Sequence, residues 1–399
     1  MSEAHWLTIV GLGEDGLFGL PGASQEALAR AEVVIGAERH LALLPEIEAE
    51  RVVWPVPFAD GLPVLKGLSG RRVVVLASGD PFWFGAGSVI AREFAPEEWR
   101  ALPGPSVFSL VAARLGWPLE AVTCLGLHAA PLTRLRPHLN AHQRLIVTLR
   151  DGASVKELAS YISGLGHGVA RCYVLEALGG ARERMRAGFA KDIDFDDATH
   201  PVVVALDMAD TGPGLAKASG HPDALFDTDG QITKRPVRAL TLSALAPRPG
   251  ELLWDIGAGS GSIGIEWLMA HPTCKAIAIE ARADRAARVR ANADRLGQDR
   301  IEVIEGAAPE VLKGLTAPDA VFLGGGLTVA CLEWLWAELA PGTRIVANAV
   351  TLETTAILTE AQGTYGGDLM KVELAEASPI GGFRGWKAAY PLVQWSTQR

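Results

Sequence analysis

The chain has few cysteines, no long apolar run and no excess of basic residues. Only four cysteines occur in 399 residues, and none of them belongs to a CxxC pair; they are Cys124, Cys172, Cys274 and Cys331. This usage predicts reduced, mostly buried thiols in a cytoplasmic protein rather than a disulfide framework. No uninterrupted apolar stretch reaches the roughly 18 residues that a membrane helix needs, and the N-terminus lacks the layout of a signal peptide. We therefore expect no membrane partner.

The charge balance disfavours nucleic acid as a partner. The formal net charge is −9, whereas a surface that neutralises phosphates is normally basic. An anionic small molecule needs only a local cluster of cations and stays possible. The histidines are scattered; His128, His138 and His142 lack metal-ligand spacing, so we expect surface positions and no metal site. No Cys–His or Ser–His set suggests a covalent nucleophile.

The length and the pattern of the chain predict two domains. Residues 1–208 alternate β-branched runs such as RRVVVLAS with helical stretches such as SQEALARAE, and the same alternation restarts at residue 231 and continues to 399. Residues 209–230 are rich in Gly, Pro, Ala and Asp without a sustained period, which predicts a linker. Alternating strands and helices favour mostly parallel sheets with right-handed crossovers.

The stretch LLWDIGAGSGSIGIEWL carries the clearest binding signal. A buried run ends at Asp255, turns through Gly257, Gly259 and Gly261, and enters a helix. Such turns allow a close backbone approach to a ligand, which then meets the positive end of the helix dipole. Glu280 ends the next predicted strand, where an acid can bind both hydroxyls of a ribose. The glycines alone fit NAD or S-adenosylmethionine (SAM); Asp255 favours SAM, whose amino group and sulfonium are cationic.

The order D-x-G-x-G-x-G, a strand ending in Glu and then EGAAPE resembles class I methyltransferases, which have a Rossmann-like fold. The paired motifs GQITKRPVRALTLSAL and WDIGAGSGSIGIE, with VANAVTLET and GGFRGW, are similar to the decarboxylating precorrin methyltransferases over residues 225–395. The resemblance implies that Thr233 reaches the cofactor, that Ala258 and Ser260 complete the turn, and that the adenine lies at Ala307 and Ala308. The resemblance also implies a tetrapyrrole substrate with many carboxylates, and the cations expected to bind them are Lys234, Arg235, Arg238 and Arg384.

A second set of turns lies near the front of the chain. IVGLGEDG, ASGDPFWFG and LPGPSVFSLVAARLG follow predicted strand ends, and Asp80 before a proline favours extended backbone. The three motifs in this order resemble the class III, or tetrapyrrole, methylases, in which two α/β lobes enclose a SAM cleft. The resemblance implies a cleft that is lined by Gly11, Asp80, Trp83, Ser106 and Val107. The first motif of that family runs G-x-G-P-G-D, and the loop is shorter here.

A class III methylase fused to a decarboxylating class I enzyme is the arrangement of bifunctional precorrin methyltransferases of cobalamin biosynthesis. The resemblance implies two SAM sites, methylation of precorrin-6B at meso carbons 5 and 15, and loss of CO2 from the acetate at carbon 12, giving precorrin-8X. We also expect a homo-oligomer. The alternatives are paired methylation of another tetrapyrrole intermediate, or one half acting as a non-catalytic substrate-holding module. For the proton that decarboxylation needs, Tyr390, Glu353 and Asn348 are candidates, and the catalytic groups stay unassigned.

Overall fold

The computed structural model describes residues 5–399, and these form two compact units. The first comprises residues up to 130 together with 138–213, and the second comprises 131–137 together with 214–399. The boundary therefore falls within the predicted linker, near its start, and a short segment of the N-terminal sequence belongs to the second unit. The independent folding of the two halves stays a prediction.

The first unit begins with a lobe built on a parallel sheet. Its strands are β1 (Leu7–Leu12), β2 (Val33–Gly36), β3 (Glu50–Val53), β4 (Val73–Ser78) and β5 (Trp99–Leu102). They lie in the order β3-β2-β4-β1-β5, and all neighbours are parallel. The helices of this lobe are α1 (Gly22–Ala29), α2 (Glu38–Ala42), α3 (Gly61–Gly67), α4 (Gly87–Glu93) and α5 (Val107–Leu115). The continuous apolar run of β4 is buried on both faces, as is typical of parallel sheets.

The second lobe of this unit differs from the expectation of a mostly parallel sheet. Its strands are β6 (Val122–Gly126), β7 (Arg144–Thr148), β8 (Arg171–Glu176), β9 (Arg184–Phe189) and β10 (Val202–Asp207), with helix α6 (Ala153–Ile162). In the order β6-β7-β10-β8-β9 only β6 and β7 pair in parallel. The short turn from β8 to β9 allows an antiparallel pair, because no crossover helix is needed.

The second unit contains a seven-stranded sheet in the order β13-β12-β11-β14-β15-β19-β16. These strands are β11 (Leu252–Ile256), β12 (Lys275–Glu280), β13 (Glu302–Glu305), β14 (Ala320–Leu323), β15 (Arg344–Ala349), β16 (Asp368–Val372) and β19 (Leu392–Gln398). Strands β11 to β15 are parallel, whereas β19 is antiparallel to both its neighbours. The helices are α7 (Arg235–Leu245), α8 (Ser262–Ala270), α9 (Ala283–Arg295), α10 (Val329–Glu338) and α11 (Leu352–Tyr365). Strand order reverses between β11 and β14, the place where ligands bind in open α/β sheets.

A separate hairpin projects from this unit. It consists of β17 (Ala375–Ile380) and β18 (Phe383–Ala388), which pair only with each other. Val372 pairs with Leu392, and Val393 pairs with Ala349 at the end of β15. The hairpin therefore leaves the sheet at the edge where the parallel strands end.

Most of the predicted linker packs against the second unit. Leu215, His221 and Phe226 are buried, whereas residues 216–219 are exposed. The inserted segment 131–137 is also held, since Arg134 donates two hydrogen bonds to Asp299 at 2.8 and 3.0 Å. The linker composition alone did not reveal these contacts.

Candidate functional site

Three strand ends of the first unit converge at Gly11. A Cβ atom at this position would lie 1.8 Å from the carbonyl oxygen of Gly79 and 2.5 Å from the amide nitrogen of Gly104. The turns after β1, β4 and β5 therefore approach one another so closely that only glycine fits at position 11. Gly11 itself does not line the adjoining cavity, which differs from the predicted lining role.

A cavity of about 580 Å³ lies beside these turns, within the first unit. Four of the predicted cofactor residues line it, namely Asp80, Trp83, Ser106 and Val107. The Asp80 carboxylate accepts a hydrogen bond from the Phe82 amide at 2.9 Å. Ser106 caps α5 by accepting a hydrogen bond from the Ser109 amide at 3.1 Å. Both side chains thus hold the turns on which they lie.

The sequence motifs did not predict a polar cluster that lies on the wall of this cavity. Arg39 forms an ion pair with Glu14 and donates hydrogen bonds to Ser78 Oγ at 2.9 Å and His40 Nε2 at 2.8 Å. Burial, together with the charge of Arg39, lowers the pKa of His40 to about 3, so this imidazole is neutral. The only signal in the sequence was the Glu in GLGEDG. Its neighbour Asp15 instead packs on Gly19, where a Cβ would lie 1.9 Å from the Asp15 carboxylate.

Two histidines also lie on this cavity. His128 and His200 are exposed but line the same cavity. Burial of part of each ring lowers the pKa of both imidazoles, and the charge of Arg39 adds to the effect at His200. Neutral imidazoles in a largely apolar cavity can accept or donate a hydrogen bond at neutral pH.

The glycine turn of the second unit has the predicted geometry. Gly257, Gly259 and Gly261 have φ values of +72°, +58° and +76°, which L side chains rarely adopt. A Cβ at Gly257 would collide with Gly325, and one at Gly261 with Val289, at 2.5 and 2.7 Å respectively. At Gly259 the nearest atoms are backbone oxygens at 3.9 and 4.0 Å. Gly259 thus faces open space at the N-terminal end of α8, where a ligand can approach the backbone.

The two predicted acids lie directly beneath this turn. Asp255 is fully buried; one of its carboxylate oxygens accepts a hydrogen bond from the Gly264 amide at 2.9 Å and the other has no partner. Burial raises the pKa of Asp255 to about 7, and the charge of Glu280 contributes to the rise. Glu280 accepts hydrogen bonds from the amides of Gly259 at 2.9 Å and Arg282 at 3.1 Å. Glu280 therefore places negative charge beside the amide of Gly259, and Asp255 adds negative charge below the turn when it is ionised.

The turn contains two further predicted residues and is flanked by two neighbouring stretches. The Ala258 amide donates a hydrogen bond to the carbonyl oxygen of Ile279 at 3.1 Å. The hydroxyl of Ser260 is buried and has no hydrogen-bond partner. The stretch with Ala307 and Ala308 begins beside Glu280, because Gly306 N donates to the Glu280 carbonyl at 3.0 Å. On the other side lies Gly325 in the LGGG turn after β14, a neighbour of Gly257 that the sequence analysis did not include.

The predicted substrate cations fall into two groups. Lys234 and Arg235, at the start of α7, are exposed, and so is Arg384 on the hairpin. Arg238 corrects the prediction, because its side chain is fully buried and paired with Glu266. A substrate carboxylate cannot reach Arg238 in this arrangement. The sequence pattern was misleading because a cation one helical turn after exposed cations can still be covered by another segment, here the backbone at His221 and Thr233.

The three candidate proton donors lie in unlike surroundings. Asn348 donates to Thr241 Oγ1 at 2.9 Å and accepts from Gln394 at 3.0 Å, so its carboxamide is held in place. Glu353 lies in the exposed first turn of α11, and Tyr390 is exposed beside the hairpin. Nothing in these contacts assigns proton transfer to any of them.

Neither a metal centre nor a reactive thiol is apparent in the described part of the chain. Within residues 5–399 no group of three or more His, Cys, Asp or Glu side chains is arranged to hold a metal ion, and no helix is long and apolar enough to cross a membrane. All four cysteines are free. Burial raises the pKa of Cys124 and Cys331 to about 11, so these thiols are protonated at neutral pH.

Two family models match the chain, and their boundaries resemble those of the two units. Residues 7–194 match the tetrapyrrole (corrin/porphyrin) methylases, and residues 224–399 match the precorrin methyltransferase domain. A protein named precorrin-6Y C(5,15)-methyltransferase (decarboxylating) from Sinorhizobium sp is 48% identical over 396 residues, which covers 98% of this chain and 96% of the relative. The protein of the same name from Mycobacterium tuberculosis is 38% identical, with 98% and 100% coverage.

Shorter relatives resemble one part of the chain. A cobalt-precorrin-6B C(15)-methyltransferase (decarboxylating) from Salmonella typhimurium is 31% identical over 173 residues, covering 42% of this chain and 89% of the relative. The crystal structure of the C-terminal domain of precorrin-6Y C5,15-methyltransferase from Rhodobacter capsulatus is 52% identical, covers 46% of this chain and 100% of that domain, and has a TM-score of 0.45.

Proposed function

The chain belongs to the family of decarboxylating precorrin-6Y C5,15-methyltransferases, and from this membership we propose a division of labour between its two units. The chain is a methyltransferase of cobalamin biosynthesis, and SAM is the methyl donor that its families imply. We propose one SAM site in each unit. The first unit methylates one meso carbon, and the second methylates the other and removes CO2 from the acetate at carbon 12. The substrate is precorrin-6B and the product is precorrin-8X.

The proposed reaction requires the protein to align the meso carbon with the methyl group and does not require a covalent nucleophile. SAM supplies a methyl group on a sulfonium, and an enamine-like meso carbon of the reduced macrocycle supplies the electron pair. The carbon–sulfur bond breaks as the carbon–carbon bond forms, and S-adenosylhomocysteine leaves. Holding the meso carbon in line with the methyl group can contribute about 7–11 kcal/mol. Protonated thiols and scattered hydroxyls are compatible with this requirement.

In the first unit, the cavity beside Gly11 supports a cofactor site. The turns that carry Asp80 and Ser106 are fixed by their own hydrogen bonds, so the walls are formed before a ligand enters. The residues that line the cavity are mostly apolar and include Trp83. The polar cluster around Arg39 lies on one wall. A flat macrocycle with an apolar face and charged edges can place its face on the apolar lining and its charged edges at the polar wall.

In the second unit, the open face of Gly259 supports the other site. A side chain there would occupy the space that the methionine part of the cofactor needs. The unpartnered oxygen of Asp255 and the carboxylate of Glu280 provide negative charge close by. The sulfonium and amino group of SAM are positive, so the site is electrostatically complementary to this donor. Lys234, Arg235 and Arg384 are the exposed cations that we propose for the substrate carboxylates of this unit.

Decarboxylation leaves an electron pair that the conjugated macrocycle can accept once it is protonated. The carbon–carboxylate bond breaks, CO2 leaves and the electrons move into the ring system. Near the proposed second site Asn348 is fixed by Thr241 and Gln394, and we propose that it orients the substrate rather than donating the proton, because a carboxamide does not release protons at neutral pH.

We also propose that the protein is a homo-oligomer, with the hairpin as the contact. Phe383, Trp386 and Ile380 are exposed on β17 and β18. Phe383 and Ile380 pair across the hairpin and share one of its faces, whereas Trp386 lies on the other face. Exposed apolar and aromatic side chains are typical of protein interfaces. Burial of these rings against a second copy would remove their apolar surface from water.

The observation that carries the proposal is the presence of two unlike glycine turns, each opening on space for a ligand, in one chain of this family. The test supplies the full-length protein with precorrin-6B and labelled SAM, and measures by mass spectrometry the methyl groups gained and CO2 lost. Two methyl groups and one CO2 per substrate are expected. Two methyl groups with the carboxylate retained would indicate another paired methylation, and a single methyl group would indicate that one unit only holds the substrate.

A further inference from the structure

Arg238 lies inside the second unit and is joined to a buried acid on α8. Its Nε atom donates a hydrogen bond to Glu266 at 2.6 Å, and both side chains are almost completely buried. The free-energy cost of removing such a pair from water is offset only when its remaining donors and acceptors also form hydrogen bonds. The other hydrogen-bond partners of Arg238 and Glu266 therefore show which segment of the chain this ion pair holds in place.

All of these remaining partners belong to one stretch of chain, residues 220–233. The guanidinium of Arg238 donates to the carbonyl oxygens of His221 and Thr233, the latter at 2.5 Å, and to Asp223 at 3.1 Å. Glu266 accepts hydrogen bonds from the amides of Gly220 at 2.6 Å and His221 at 3.0 Å. A single ion pair thus fastens this stretch at both its ends.

The fastened stretch forms a wall beside the open glycine. The carbonyl oxygen of Gln231 lies 3.9 Å from the position that a Cβ on Gly259 would take. Asn292 adds a second connection, since its amide donates at 2.9 Å to the carbonyls of both Asp227 and Ser260. Residues 220–233 are therefore tied both to the glycine turn and to the helix that follows it.

We propose that Arg238 and Glu266 are positioning residues for the second cofactor site: they hold residues 220–233 against α8 so that the backbone at Gln231 lines the space that is open at Gly259. The inference rests on the proposed function, because it takes the open face of Gly259 to be a SAM site. In this arrangement Arg238 acts through the backbone of residues 220–233 and does not touch the substrate.

Arg344 provides a matched control in the same unit. It also pairs with a glutamate, Glu251, at 2.5 Å, and donates to a carbonyl, that of Leu245, at 2.7 Å. Arg344 lies at the start of β15, the end of the sheet opposite the glycine turn. Arg344→Met thus removes a comparable ion pair without affecting residues 220–233.

The first measurement is amide hydrogen exchange of the full-length protein without ligand. In Arg238→Met, exchange of residues 220–233 is expected to accelerate at least about tenfold, whereas Arg344→Met leaves this stretch at the wild-type rate. The double variant Arg238→Met/Glu266→Leu removes both charges, so no buried charge stays unpaired. It is expected to unfold cooperatively and still to show fast exchange in this stretch.

The second measurement is equilibrium dialysis with SAM, which reports both sites of the chain. Wild type is expected to bind two molecules, and Gly259→Val one. In the double variant one site should keep its affinity while the other weakens at least about tenfold, because residues 220–233 are no longer held in place and must be ordered when SAM binds. Arg238→Lys should recover part of the affinity, because an ammonium can still pair with Glu266.

Two outcomes would overturn the inference. If the double variant folds and its exchange and SAM affinity match those of Arg344→Met, the pair does not position the site. If wild type and Gly259→Val bind equal amounts of SAM, the proposed second site is wrong, and the inference fails with it.

Discussion

At the scale of single residues, Asp255 links cofactor binding to pH. Burial raises the pKa of its carboxyl to about 7 in the folded protein, above the ordinary value of 3.8. The stability that the protonated form contributes is therefore complete below about pH 4 and is lost as pH rises through about 7. A cationic ligand nearby has the opposite preference, because it favours the charged carboxylate.

The affinity of the second site for SAM should consequently increase between about pH 6 and about pH 8. The groups that face Asp255 are the Gly264 amide and Glu280, and neither is cationic. Asp255→Asn keeps an oxygen for the Gly264 amide but cannot ionise, so its SAM affinity should be weaker and should lose this pH dependence. Calorimetric titration of both proteins at several pH values measures the effect. An Asn variant with the wild-type pH profile would disprove this role of Asp255.

Gly259 offers a second test at this scale. Gly259→Val should prevent SAM from binding to the second unit, because the new side chain would point into the proposed ligand space. Gly250 also has a positive φ, +86°, and open space around it, but it lies before β11 at the other end of the sheet. Gly250→Val therefore reproduces the backbone strain without blocking the site. Equal loss of SAM binding in both variants would attribute the effect to strain alone.

At the scale of elements, residues 209–230 contain the boundary between the two units and also a segment that packs on the second unit. Residues 216–219 are exposed, whereas Gly220, His221 and Phe226 are buried against the second unit. Local mobility and proteolysis follow exposure and missing contacts rather than sequence composition.

Limited proteolysis should therefore cut first between residues 209 and 219. Residues 220–230 should resist cleavage until the second unit unfolds, because their backbone is held by Glu266 and Asn292. Mass spectrometry of the earliest fragments locates the cuts. Early cleavage after residue 220 would contradict the packing, and early cleavage inside β4 or β11 would contradict the division into two units.

The hairpin β17–β18 is the element that we connect with self-association. Phe383→Ser/Trp386→Ser should shift the protein to smaller assemblies in sedimentation velocity, because the exposed apolar surface that favours contact is removed. Exchange of Met185, an exposed apolar residue of the first unit, for Ser provides a control. Unchanged sedimentation of the hairpin variant would remove the hairpin from the interface.

At the scale of the whole molecule, the division of labour can be tested with product masses. Asp80→Arg places a long charged side chain in the first cavity, so methylation by the first unit should stop while CO2 loss continues. Gly259→Val should do the reverse. Each variant is assayed with the other in trans, so that an obligatory order of steps does not hide an intact site. Loss of decarboxylation in Asp80→Arg, with its retention in Gly259→Val, would reverse the assignment of the chemistry to the units.

The sequence by itself determined the features that depend on local order. A D-x-G-x-G-x-G turn after a buried run specifies a strand, a left-handed turn and a helix start, and the structure has all three between Leu252 and Ala270. The same holds for Ser106 at the start of α5. The resemblance of these motifs to known families predicted a fold class and a family membership that the comparisons confirm.

Only the tertiary structure decided which side chains meet. Arg238 follows Lys234 by four residues, yet Arg238 is enclosed against Glu266 and Lys234 is exposed, because residues 220–233 cover α7 at Arg238 and leave its first residue open. The cavity wall of Arg39 and His40 likewise depends on the contact of α2 with the turn after β1. Contacts between residues far apart in sequence are set by the packing of whole elements, and no short motif encodes them.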